Sequence, residues 1–210
     1  MRARFISLWR QLGASGDPEP VFTDLAARYR EPHRSYHTLD HIAQCLDEFS
    51  SAQHLLREPL TVEMAIWYHD AIYTIGRRDN EEQSATFAWG ICAGAELGQQ
   101  FSGTVADLIR MTATHHAADN GVDERVFADI DLSILGQPPA AFATYGAAIH
   151  REYVMLGGVD ATLFRVKRAE ILSEFLQRAE TNQLYTTPFF QQKYGTPARE
   201  NLRSAVAALR

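Results

Sequence analysis

An all-α fold is predicted for this 210-residue chain, and three features carry the prediction. Apolar residues recur at three- and four-residue spacing along most of the sequence. Alternating apolar and polar runs bounded by turn signals, the mark of strands, are scarce. Helix-opening residues (Asp17 with Pro18, Thr38, Asp160) stand directly before the periodic segments. No internal repeat, low-complexity tract or linker-like stretch divides the chain, so residues 1–210 are expected to form one domain. Its C-terminal helices, 138–210, are expected to pack on the core.

The elements follow in order. Asp17 and Pro18 open a helix carrying Val21, Phe22, Leu25, Ala26 and Tyr29, which Pro32 interrupts. The next helix begins near Ser35 or Thr38, with Leu39, Ile42, Ala43, Leu46 and Phe49 as its apolar stripe and His37 and His41 together on a neighbouring face. In "TVEMAIWYHDAIY", Thr61 is the expected N-cap, Met64, Ala65, Trp67 and Tyr68 are the expected core, and His69 and Asp70 arrive near the C-terminal end. "TIGRRDNEEQSA" reads as a loop, with Asn80 capping a helix from Glu81 towards Cys92. "SGTVADLIRMTATHH" carries His115 and His116 at its far end, and Asn120 and Gly121 lead into a short helix through Phe127, Ile130, Leu132 and Leu135. Two further helices follow Pro138–Pro139 and Asp160, and "TPARENLRSAVAALR" is read as a last helix with its proline in the first turn.

Composition narrows the function. With 26 acidic and 20 basic side chains mixed along the chain, and a formal charge of −6, there is no basic arm or stripe for a nucleic-acid backbone. The only two cysteines, Cys45 and Cys92, lie in apolar helical patterns and are expected to be buried free thiols, which suits a reducing compartment. No apolar run approaches a membrane span, and the N-terminal stretch lacks a signal-like core, so a cytoplasmic protein is expected. The oligomeric state is left open, a homodimer being compatible with it.

The chemistry-bearing residues come in the order His37, His69 with Asp70, His115, Asp131, each at the end or on the inner face of a predicted helix. Imidazoles combined with carboxylates suit a divalent transition ion such as Mn, Fe, Co, Ni or Zn, whereas an all-oxygen set suits Mg or Ca. Asp129 and Asp131, two apart on a helix, cannot point the same way, so Asp131 is taken as the ligand and Asp129 as a cap or supporting acceptor.

Five ordered motifs then give a specific resemblance: "RSYHTLDHI" (34–42), "HDAIY" (69–73), "NEEQSA" (80–85), "TATH" (112–115) and "DIDLSILG" (129–136). Over residues 30–136 the chain resembles the HD superfamily of metal-dependent phosphohydrolases, in particular a small bacterial group with these motifs. The resemblance implies a helical HD-domain bundle in which His37, His69, Asp70 and Asp131 bind one divalent ion, with Mg added to the metals above. It implies hydrolysis of a phosphate ester of a nucleotide or another small phosphorylated metabolite by a metal-activated water. Asp70 would orient the water, Arg34 and His115 would stabilise phosphate charge, and Glu82 or His41 would move protons. His41, Tyr73, Glu81 and His116 are placed around the ligands or against substrate, with His41 read as a support for the metal ligands. The glutamate that follows the doublet by one turn in better-known members is replaced here by Ile72 and Tyr73. That departure keeps open a nucleotide-binding regulatory module with little turnover, and the extra histidines keep open a di-iron oxygenase.

Overall fold

The computed structural model describes residues 1–115 and 121–209, and it is all-helical, with no strand among those residues. In chain order the helices are α1 (Arg2–Gln11), α2 (Pro18–Arg28), α3 (Leu39–Ala52), α4 (Pro59–Tyr68), α5 (Asn80–Gly94), α6 (Gln99–Met111), α7 (Val122–Asp131), α8 (Pro139–His150), α9 (Ala161–Glu180) and α10 (Pro188–Leu209). A tight 3-10 turn, Leu132–Gly136, continues α7, and a π-helical segment, Arg151–Leu156, continues α8.

Helix α4 is the centre of the bundle. Every residue from Thr61 to Tyr68 is buried, and the helix packs against α1, α3, α5, α6 and α7. A helix buried on every side has no solvent face, which is why its sequence shows little amphipathic bias, and its one charged residue, Glu63, is paired with Arg4. Phe5 and Phe22 meet the Trp67 ring edge-on at 5.3 and 6.2 Å, fixing α1 and α2 against it. The C-terminal end of α4 therefore stops at one depth, and His69 and Asp70 follow immediately.

Thr38 caps α3 through the amide of Asp40, and Asp160 caps α9 through the amide of Leu163, as the sequence predicts. Three boundaries differ. Helix α4 starts at Pro59, so Thr61 is buried within it and is not its N-cap. Asp79 takes the N-cap position of α5, while the Asn80 side chain pairs with both backbone groups of Thr74 and closes the loop after the His-Asp doublet. Helix α10 begins at Pro188, leaving Pro197 inside it rather than in its first turn. Burial of Phe190 and Tyr194 ahead of Pro197 offsets the hydrogen bond that proline cannot make. No described helix is long and apolar enough to cross a membrane. Cys45 and Cys92 are buried free thiols.

Candidate metal centre

Three helix ends converge on a buried point. His41 lies in the first turn of α3, His69 and Asp70 follow α4, and Asp131 ends α7. His41 Nε2 is 3.1 Å from His69 Nε2, 3.2 Å from Asp131 Oδ1 and 3.5 Å from Asp70 Oδ2. His69 Nε2 is 3.2 Å from Asp70 Oδ2 and 3.5 Å from Asp131 Oδ1. Atoms that share one ion at bonds of roughly 2.0–2.2 Å are separated by about 3.0–3.6 Å, so two nitrogens and two oxygens here have the spacing of a coordination set.

The tautomers agree with that reading. His69 Nδ1 lies 2.9 Å from the carbonyl oxygen of Ile66, which can only accept, so Nδ1 carries the proton and the neutral ring turns a lone pair from Nε2 into the cluster. Burial alone would push the His69 pKa down, but the Asp70 and Asp131 carboxylates outweigh it and hold it well above the ordinary imidazole value. Burial would raise both carboxyl groups, yet His69 foremost holds each well below the usual carboxylate range. Two acids and a shared imidazolium are thus the charge arrangement that a divalent cation would replace.

Cys45, one turn after His41, also comes close: one ligand atom each from His41, Cys45, His69 and Asp131 lies within 4.8 Å of the others. Its Sγ is 3.7 Å from His41 Nε2 and 3.8 Å from His41 Nδ1. A sulfur almost equidistant from both ring nitrogens lies beside the ring, and an ion on the Nε2 lone pair would be beyond its bonding reach. Asp70 is therefore the better fourth donor.

The other sequence-predicted residues take different places. His37 precedes the Thr38 cap, so it is not on α3; its Nδ1 pairs with Glu152 Oε2 at 2.8 Å, and among the described residues it forms no ion pair with Asp70 or Asp131. His41, expected to support the ligands, is the histidine of the first motif whose ring nitrogen lies within 3.5 Å of both Asp70 and Asp131. His115, held in the left-handed backbone region at φ 52°, hydrogen-bonds Asp131 Oδ2 through Nε2 at 2.7 Å. It thereby orients the carboxylate whose other oxygen faces His41.

Arg34, expected on phosphate, is buried and fully engaged. Its guanidinium donates to the carbonyls of His37 (3.1 Å), Asp70 (2.7 Å) and Ala71 (3.1 Å) and to Glu31 Oε2 (3.0 Å). It satisfies the orphan carbonyls beyond α4 and ties them to the loop before α3. Glu82, expected to move protons, is half-exposed and takes the Arg110 fork at 2.8 and 2.9 Å, away from the cavity. Glu81 is the acid that lines the cavity. The Tyr73 hydroxyl donates to Glu152 Oε2 at 3.2 Å and is buried rather than free for a ligand. Asp129 is fully buried and accepts from the amides and hydroxyls of Thr186 and Thr187, which anchors α7 to the start of α10. His116 lies outside the described residues.

The cluster opens into a cavity of about 160 Å³ lined by Tyr36, His37, His41, Asp70, Glu81 and His115 among others. An outer chamber of about 620 Å³ shares Tyr36, His37, Glu81 and His115 with it and adds Arg78, Lys167 and Arg168 among aromatic and aliphatic walls. Sequence reasoning missed Glu152, Lys167 and Arg168. The signal for Glu152 was a lone acid following the apolar run of α8; for the two cations there was none beyond their charge. No family model, no curated protein and no solved structure matches this chain.

Proposed function

We propose that this protein is a metal-dependent phosphohydrolase of the HD superfamily, acting on a nucleotide or another small phosphorylated metabolite. The observation that carries the reading is that His41 Nε2 and His69 Nε2 lie 3.1 Å from each other and each 3.2–3.5 Å from both Asp70 Oδ2 and Asp131 Oδ1. These four side chains would hold the cation. A bound divalent ion supplies Lewis acidity, lowering the pKa of a water and polarising a phosphoryl oxygen. Around that centre the protein has its own work. His115 orients Asp131, and Arg34 holds the backbone of Asp70 in place. Arg78, Lys167 and Arg168 present positive charge in the outer chamber, where a phosphorylated ligand reaching the cluster would lie.

The test is metal analysis of untagged protein followed by a screen of phosphorylated metabolites with Mn, Co, Ni, Mg, Fe and Zn. Phosphate release that depends on metal and collapses in Asp70→Ala, with helicity retained, is the expected result. Absence of product across every metal and ester rejects the enzyme. One observation favours a second reading: Arg34 and Glu82, the groups first matched to phosphate contact and proton transfer, are both occupied by other partners. A regulatory module would then bind a nucleotide in calorimetry and release no product.

A further inference from the structure

Glu152 is 0% exposed and receives five donors on two oxygens. Oε1 accepts from the amides of Ser35 (2.6 Å), Tyr36 (2.7 Å) and His37 (3.0 Å). Oε2 accepts from His37 Nδ1 (2.8 Å) and the Tyr73 hydroxyl (3.2 Å). Burying a carboxylate is costly unless its lone pairs are met, and here every donor comes from the loop that carries His37 or from the segment after His69-Asp70. The π-helical segment supplies this acid: the amide of Gly157 bonds the carbonyl of Glu152 at 2.8 Å, five residues back. Such a wide turn inside a helix is a recurrent feature of functional sites.

An ionised carboxylate can only accept, so His37 Nδ1 carries a proton, and in the neutral ring Nε2 holds a lone pair. The ring stacks on Tyr73 with centroids 4.2 Å apart and lines both the inner cavity and the outer chamber. Among the described residues, Nε2 has no protein partner.

We propose that Glu152 is a positioning residue that locks His37 in its Nδ1–H tautomer, so that Nε2 faces the cavity as a hydrogen-bond acceptor for the attacking water, outside the metal-ligand set. The role of an attacking water rests on the phosphohydrolase reading; the tautomer does not.

The decisive measurement is the ¹⁵N signature of His37 in cation-free, histidine-labelled protein over a pH series, assigned with His37→Gln. In the neutral ring, Nδ1 is expected to be protonated and Nε2 bare. Glu152→Gln is expected to invert this. Its single oxygen must serve the three backbone amides, which turns its NH₂ towards Nδ1 and moves the ring proton to Nε2. A wild-type ring protonated at Nε2, or an unchanged tautomer in Glu152→Gln, overturns the proposal, and the wild-type spectrum alone decides should the variant fold poorly. In Mn-loaded protein with p-nitrophenyl phosphate, Glu152→Gln is expected to lower kcat about 100-fold, the scale of a lost proton acceptor, with KM little changed. A loss of Mn affinity of about tenfold or more would place His37 among the metal ligands and also overturn it. Should wild-type protein hydrolyse no ester, the phosphohydrolase reading fails while the ¹⁵N result still judges the tautomer lock.

Discussion

His41 Nε2 and His69 Nε2 face each other across 3.1 Å in a buried space flanked by Asp70 and Asp131. Two bare imidazole lone pairs at that distance repel, so something positive must lie between them. In the cation-free protein a ring proton can fill that place, and the two carboxylates favour it by raising the His69 pKa well above its ordinary value against the effect of burial.

Metal loading should therefore expel that proton. At neutral pH, calorimetric titration with Mn in buffers of differing ionisation enthalpy is expected to show about one proton released per ion. Affinity should weaken as pH falls, because a raised pKa means protons compete harder for His69. Equal heats in all buffers would remove His69 from the site.

Metal affinity should also separate the two histidines of the first motif. Outer-sphere partners typically contribute about 10–100-fold to metal affinity, so His41→Ala is expected to weaken Mn binding by about 100-fold or more. His37→Ala should cost less than about tenfold on the same scale. The reverse order in a metal titration would restore His37 as the ligand.

That pair also shows what the sequence could and could not reveal. Periodicity and capping residues made the helices legible, including the burial of α4 and the delivery of His69 and Asp70 at its end. The spacing of His37 and His41 suggested a shared face, and only the position of the Thr38 cap removes His37 from the helix. Glu152 meets His37 across 115 residues, and the Arg34 guanidinium meets the carbonyl of Asp70 across 36. Contacts of that kind leave no local period, because backbone carbonyls and buried acids are recruited by the packing of helices rather than by their neighbours in sequence. Glu81 and Glu82 are equally acidic in sequence, yet adjacent helix positions point about 100° apart, so Glu81 lines the cavity while Glu82 meets Arg110.

The Glu152–His37 pair should give stability a defined pH window. Burial raises the Glu152 carboxyl, but hydrogen bonding to His37 and the backbone amides outweighs it, lowering the pKa from 4.5 to about 2. Its contribution is present above about 4.5 and is lost as pH falls towards 2. For His37, burial acts downward, and Asp70 and Glu152 outweigh it to raise the pKa above 6.5. Its contribution is complete below 6.5 and is lost as pH rises through the folded value. In cation-free protein the stability gap between wild type and Glu152→Gln is therefore expected to be widest between about pH 4.5 and 6.5, measured by urea unfolding. A gap independent of pH would mean the pair is not ionised in the fold.

Arg34 and Glu82 supply a contrast between a structural and a surface ion pair. Arg34 is buried and donates to three carbonyls from two segments, so Arg34→Lys loses the planar fork and strands backbone acceptors. Breaking a buried network of this kind costs roughly 2–4 kcal/mol, and urea unfolding should show that loss. Because the same guanidinium fixes the carbonyl of Asp70, metal affinity should fall with stability even though Arg34 touches no ligand atom. Glu82 pairs with Arg110 at the surface, where water and salt screen the charges, so Glu82→Gln should leave both the urea midpoint and metal affinity unchanged. An Arg34→Lys protein as stable as wild type, binding metal equally well, would show that the loop before α3 and the end of α4 are held by their packing and not by this fork.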